Sequence, residues 1–250
     1  MSDTHAEDPF SRAVRVCEEA ARQSPAVLVG FSGGKESWAV LDLCCRTFQR
    51  VVPFHMYFVP GLRCVQEQMD RAKERYGVTV LYYPSVNLVT HVKNGDYCNT
   101  HYSYDDVPDV KLSDVYEWVR AETGVRLLAL GMRKADSLSR RRIMARAGKQ
   151  GGTDDQLHPL ADFTKWDVLA YLAVRKIPLP PSTGEATSGI GLTVPSILWL
   201  HDVYPDDFQK LLALFPFAEA VVRRREWYGI GDHYNLSGKV KSGKGVERVK

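Results

Sequence analysis

The chain lacks any apolar run near the roughly 20 residues that span a bilayer, although 44% of its 250 residues are hydrophobic. It has no C-x-x-C spacing, which leaves a four-thiolate zinc or iron–sulfur site without a ligand set. Its five cysteines, at 17, 44, 45, 64 and 98, are odd in number and irregular in spacing. That argues against a disulfide framework and for a reducing compartment. The seven histidines show no metal-ligand spacing, and no internal repeat is visible. The opening MSDTHAEDPF is acidic and polar, unlike a signal peptide. A cytoplasmic, globular protein without a membrane segment is expected.

Charge is present but uneven. The net value is only +3. Yet Arg133 to Lys149 holds seven basic residues against one acid, Asp136, and Lys239 to Lys250 holds five against one. Clustered cations suit phosphate ligands, either a nucleotide or a nucleic-acid backbone. A solvated basic face is the alternative, above all for the tail.

Apolar runs alternate with amphipathic segments through about residue 135. Helical spacing covers Asp8 to Gln23. Ala26 to Phe31 reads as a strand, followed by a helix from Glu36 to Phe48. Val51 to Val59 reads as a second strand, Arg63 to Tyr76 as a helix closed by Gly77, and Val78 to Tyr83 as a third strand. Ser85 to Pro108 looks irregular, and its GDYCNTHYSYDD stretch suggests a functional loop. Ser113 is the expected N-cap of a helix ending at Thr123. Arg126 to Gly131 reads as a fourth strand and Ser137 to Ala147 as a basic helix. Gln150 to Thr153 marks a break, after which His158 opens a new unit. Thr164, with Asp167 three residues on, should cap a helix to about Lys176. Beyond Pro178 comes a polar loop, and Pro195 to Phe217 reads as one or two apolar helices. This pattern implies an α/β fold: a doubly wound, mostly parallel sheet with helices on both faces and a helical C-terminal extension. The expected division is 1–180 and 181–250.

In such sheets, ligands sit beyond the carboxyl ends of the strands. Ser32–Ser37, Pro60–Cys64 and Gly131–Ser137 all fall there. Within AVLVGFSGGKES, a strand ends in a glycine turn that opens a helix, a backbone anion site by construction. Gly33 and Gly34 permit close approach of a phosphate. Ser32 and Ser37 add hydroxyls, and Lys35 adds a cation. A Walker A loop fails on spacing, because Val29 stands where its first glycine belongs and Glu36 where its hydroxyl belongs. G-x-G-x-x-G also fails, for want of a third glycine. An ordinary glycine-rich turn is the remaining plain alternative.

The S-G-G-K-E-S run resembles the S-G-G-x-D-S signature of the PP-loop ATP pyrophosphatases. GMRKADSLSRR resembles the G-x-R-x-x-E-S-x-x-R segment of the phosphoadenosine phosphosulfate (PAPS) reductase-like branch of that superfamily, with Asp136 in place of Glu. HPLADFTKWDVLAYLAVRKIPLPP resembles the branch's P-L-x-x-W-T-x-x-D-V-x-x-Y-L-x-x-x-x-I-P stretch, with Phe163 in the Trp position. SGIGLT echoes a later region of the branch without its cysteines. The resemblance runs from about Ala26 to Thr193. It implies ATP and Mg²⁺ as cofactors, with Phe31, Ser32, Gly33, Gly34, Lys35, Ser37, Gly131 and Arg133 around the nucleotide. It implies attack on the α-phosphorus, loss of pyrophosphate and adenylation of an acceptor, for sulfur or nitrogen transfer to a nucleotide or nucleic-acid component. A sulfur donor protein and a second copy of the chain are candidate partners.

The residues expected to carry the chemistry are Lys35, Glu36, Arg133 and Arg140. Glu36 would hold Mg²⁺; its plain alternative is a carboxylate placed for the helix dipole. Arg140 lies two helical turns from Arg133, on nearly the same face. Cys64 and Cys98 are candidate sulfur carriers or nucleophiles, though free cysteine is usually a small buried hydrophobe. Asp162 lines the site or simply shapes a turn. The reductase branch uses a C-terminal E-C-G-I-H cysteine, whereas this chain has none after Cys98. That weighs against sulfonucleotide reduction, which stays an alternative beside a non-catalytic nucleotide-binding module.

Overall fold

The computed structural model describes residues 8–98, 106–147, 155–180 and 190–229. Five strands build one all-parallel sheet: β1 (Ala26–Gly30), β2 (Arg50–Tyr57), β3 (Leu81–Pro84), β4 (Leu128–Ala129) and β5 (Gln156–Leu157). Their spatial order is β3-β2-β1-β4-β5. β1 is therefore central, and its unbroken apolar sequence fits a strand covered on both faces. Val27 and Val29 join the core on one face of the sheet, while Leu28 joins the core on the other. The doubly wound parallel sheet expected from the alternation is present.

α1 (Pro9–Gln23), α2 (Lys35–Thr47), α3 (Arg63–Tyr76) and α7 (Lys165–Val174) contribute to the larger core, and α5 (Leu112–Thr123) covers the opposite face. α2 is buried continuously from Ser37 to Cys44 and lies against α1 and α7. The Thr164–Asp167 capping box forms as expected: Asp167 N–H donates to Thr164 Oγ1 at 3.2 Å, and Thr164 N–H to the Asp167 carboxylate at 2.7 Å.

Several boundaries differ from the sequence reading. α4 (Val86–Asn94) occupies the start of the segment expected to be irregular, capped by Ser85 Oγ accepting from Leu88 N–H at 3.0 Å. α5 starts at Leu112, with Lys111 at its N-cap; Lys111 N–H donates to the Asp114 carboxylate at 2.8 Å, so Ser113 lies inside the first turn. β5 is two residues long, too short to leave a periodic signal. α6 (Leu138–Ala147) matches the basic helix. The C-terminal extension holds α8 (Val194–Val203), α9 (Pro205–Leu214), a 3₁₀ turn (Pro216–Ala218) and an unexpected α10 (Glu219–Tyr228). It packs its own core around Phe58, Val59 and Leu62 just past β2, with Phe58 stacked on Phe215 at 5.3 Å. The Gln150–Thr153 break, most of the GDYCNTHYSYDD loop and the basic tail lie outside the described residues.

One buried carboxylate ties three helices together. Asp42 in α2 is fully buried and accepts from Tyr76 Oη at 2.7 Å, Tyr171 Oη at 2.6 Å and Arg175 Nε at 2.9 Å. Burial opposes its charge, but Arg175 and the two hydroxyls outweigh burial and hold the carboxyl below its ordinary pKa. Asp42→Ala strands the two tyrosine hydroxyls and should lower the unfolding free energy by about 2–4 kcal/mol, read from urea denaturation. Because the folded pKa is depressed, the contribution is complete above the unfolded value and fades as pH falls below about 4. The gap between wild type and Asp42→Ala should therefore narrow at acid pH.

Candidate functional site

The strand order reverses beside β1: β2 and β3 extend to one side, β4 and β5 to the other. The register pairs Leu28 with Leu128 and Val29 with Ala129, so β1 and β4 end level and in parallel. The loops that follow them leave the sheet at this switch point, the place where open parallel sheets bind ligands.

The first loop is held from below. Phe31 N–H donates to Phe54 O at 2.8 Å, and His55 Nδ1–H donates to Phe31 O at 3.1 Å. Burial depresses the His55 pKa and outweighs the opposing effect of that hydrogen bond. The Phe31 ring is in the core, edge-on to Trp38 at 5.1 Å, so it contributes to the loop through its backbone alone. Gly33 turns the chain at φ +76°, and a Cβ there would meet Gln68 Cγ at 3.1 Å. The two serines brace the turn. Gly34 N–H donates to Ser32 Oγ at 3.3 Å, Ser32 Oγ to Ser37 Oγ at 3.3 Å, and Ser37 Oγ to Gly34 O at 2.8 Å. Gly34 is the N-cap of α2 and supplies no side-chain cap. The first N–H groups of α2 thus remain available for an anion.

The second loop meets the first at Glu36. A Cβ on Gly131 would lie 3.0 Å from Glu36 Cβ, so this glycine permits the approach. Glu36 Oε1 sits 3.0 Å from Lys35 Nζ and 3.3 Å from Arg133 Nη2. Asp136 takes the same Arg133 Nη2 at 2.5 Å and Arg140 Nη1 at 2.5 Å. Four of the expected residues, Lys35, Glu36, Arg133 and Arg140, therefore form one chain of charges, through Asp136, that joins the two loops. Arg133 is 9% exposed, and its buried Nε has no partner among the described residues. Such a donor fits an anion that reaches the guanidinium edge-on.

The phosphoadenosine phosphosulfate reductase domain family matches residues 26–193. The chain belongs to this family. The PP-loop resemblance read from the motifs is thereby borne out. Among solved structures, the chain is similar to the PAPS reductase from Candida auris in its phosphate complex, with 17% identity, a TM-score of 0.45, and coverage of 76% of this chain and 98% of that one. It is also similar to the U34-tRNA thiolase NcsA from Methanococcus maripaludis with its [4Fe-4S] cluster, with 14% identity, a TM-score of 0.44, and coverage of 90% and 81%. No curated protein sequence matches.

Within this PAPS reductase-like domain, the third expected loop is taken by the chain itself. Asp207 of α9, fully buried, accepts from Arg63 N–H at 2.8 Å and Cys64 N–H at 2.9 Å. It caps α3 from 144 residues away, so Pro60–Cys64 does not offer an open anion site. Cys64 and Cys98 are each 7% exposed. Burial, with Asp207 nearby, pushes the Cys64 thiol up, and burial with Asp96 does the same for Cys98, whose Sγ–H donates to Leu214 O at 3.2 Å. Asp162 pairs with Lys134 at 2.7 Å and Arg12 at 3.1 Å, bridging to α1. Sequence reasoning missed Gln68, His55 and Asp207; none carries a local motif, since each acts across the fold. Among the described residues no helix is long and apolar enough to cross a membrane, and no three His, Cys, Asp or Glu gather as a metal site.

Gly33→Ala should cost about 1–2 kcal/mol, the penalty of a left-handed residue with a Cβ. The Gln68 contact makes the upper end the expected result. Thermal unfolding checks it, and an unchanged midpoint would mean that the loop relaxes freely.

Proposed function

We propose that this domain binds ATP with Mg²⁺, cleaves it at the α-phosphate and adenylates an acceptor. The observation that carries the reading is the junction at Arg133: a buried guanidinium whose Nε has no partner among the described residues, sharing the Glu36 carboxylate with Lys35 at the uncapped start of α2. That set suits a chain of phosphates better than a single carboxylate ligand. An acceptor oxygen attacks the α-phosphorus, the bond to the bridging oxygen breaks, and pyrophosphate leaves with the electron pair. A sulfur or nitrogen nucleophile then displaces AMP from the adenylated acceptor. The protein's part is to position the phosphates and neutralise the leaving charge. The N–H groups of Lys35 to Ser37 and the Lys35 ammonium hold the pyrophosphate end, while Arg133 and Arg140 hold the α-phosphate side.

A single carboxylate beside nucleotide phosphates is an ordinary setting for Mg²⁺, and Glu36 fits that role. Bound there, the ion would supply further charge neutralisation. Meanwhile Glu36 sits on Lys35 and Arg133, the cations that phosphates need. An incoming anion must displace it, and the displaced Glu36 carboxylate would then be the group that holds Mg²⁺, which would couple binding of metal and nucleotide.

Sulfonucleotide reduction needs a thiolate. This chain has no cysteine after Cys98, and Cys64 and Cys98 are buried in the C-terminal core with raised pKa. The adenylating reading therefore stands ahead of reduction.

Calorimetry should show ATP–Mg²⁺ binding tighter than PAPS, and Lys35→Ala should weaken it about tenfold to a hundredfold, roughly 1.4–2.8 kcal/mol. Tighter binding of PAPS, with sulfite release on adding a dithiol, would sink the reading. ATP affinity indifferent to Lys35→Ala would favour a non-catalytic module. Glu36→Gln removes the internal competitor. It should tighten metal-free pyrophosphate binding several-fold and reduce the gain on adding Mg²⁺. Equal pyrophosphate affinity for the two proteins would rule out the competition.

A further inference from the structure

The buried residues of α3 are Cys64, Gln68, Met69 and Ala72. Three of them are apolar, as a helix face packed on a core requires. Gln68 is the exception, and it is only 5% exposed. A buried amide costs free energy unless its hydrogen-bonding groups are met. Its acceptor is met: Trp38 Nε1–H donates to Gln68 Oε1 at 3.3 Å. An indole N–H can only donate, so this contact also fixes which way round the amide lies. Nε2 is left as a buried donor with no partner among the described residues.

Gly33 of the first loop lies against the same side chain. A Cβ there would meet Gln68 Cγ at 3.1 Å and Gln68 Cβ at 3.2 Å. Gly33 is itself buried, and no hydrogen bond reaches its carbonyl among the described residues. A donor without an acceptor and an acceptor without a donor thus belong to touching residues. The carbonyl of Gly33 shares its peptide plane with the N–H of Gly34, and in a trans peptide the two point in opposite directions. That N–H makes a long bond to Ser32 Oγ, 3.3 Å, at the uncapped start of α2.

We propose that Gln68 is a positioning residue for this loop: its Nε2–H takes up the Gly33 carbonyl when a phosphate anion draws the Gly34 N–H outward. Rotation of one peptide serves both ends. The N–H turns to the anion, the carbonyl turns to the amide, and both buried groups are satisfied at once. The hydrogen bond then holds the turn in its anion-binding shape, while Trp38 holds the amide. This role rests on the phosphate-binding part of the function proposed above, and not on the adenylation step.

The test titrates inorganic pyrophosphate into the full chain. Gln68→Met keeps the length and burial of the side chain but removes the amide. Pyrophosphate affinity should fall about five- to tenfold, the worth of one hydrogen bond. That variant also strands the Trp38 N–H and should melt earlier. Trp38→Phe/Gln68→Met removes both ends of that bond, so it should regain stability yet keep the weak affinity. A wild-type measurement needs no variant: on adding pyrophosphate, the Gln68 side-chain amide signal in NMR should move downfield and exchange more slowly with solvent. Three results would each overturn the proposal while leaving the loop a phosphate site: unchanged affinity in Gln68→Met, affinity that returns with stability in the double variant, or an amide signal that pyrophosphate does not move. Failure of wild type to bind pyrophosphate would overturn the phosphate-binding reading, and this role with it.

Discussion

The parallel pairing of β1 with β4 is the constraint on which the rest of the site depends. It is short, with two paired positions, yet it sets two loops at the same height on opposite sides of the strand-order reversal. From there each loop needs a glycine for a different reason. Gly33 turns the chain into α2 with a positive φ, and Gly131 lets the second loop pass within contact distance of Glu36. Without the level strand ends, Arg133 and Lys35 would not share a carboxylate.

Carboxylates decide which helix starts stay open. Asp207 closes α3, and the Thr164–Asp167 box closes α7. α2 lacks a side-chain cap, because Gly34 occupies the position. Its first N–H groups have no side-chain cap, and Glu36 lies to one side, paired with Lys35. The same economy explains the C-terminal helices. Beyond building their own core on Phe58 and Leu62, they deliver Asp207 to the start of α3 and cap it.

Family membership here constrains the scaffold more firmly than the chemistry. The chain is a PAPS reductase-like domain, but its cysteines are packing residues in this structure: Cys17 and Cys44 in the larger core, Cys64 and Cys98 in the C-terminal one. What the two loops bring together is positive charge with competing carboxylates. Thiol chemistry has no comparable preparation among the described residues.

Much of this was legible in the sequence because it is written in short-range signals. The glycine turn, the apolar run of β1, the alternation of periods and the Thr164 box are local, and each appears as read. Lys35, Glu36, Arg133 and Arg140 were readable as candidates from motif and charge. The elements missed were those whose signal is weak or long-range: the two-residue β5, the start of α5 at Leu112, and α4 behind its proline. Only the tertiary structure could show that Asp207 fills the α3 start, that Gln68 seals the Gly33 turn, or that Glu36 lies on two cations at once. Those facts join residues tens to more than a hundred positions apart. A sequence fixes which groups can pair, but pairing itself follows from which strand ends and helix starts the packed core brings within hydrogen-bond reach.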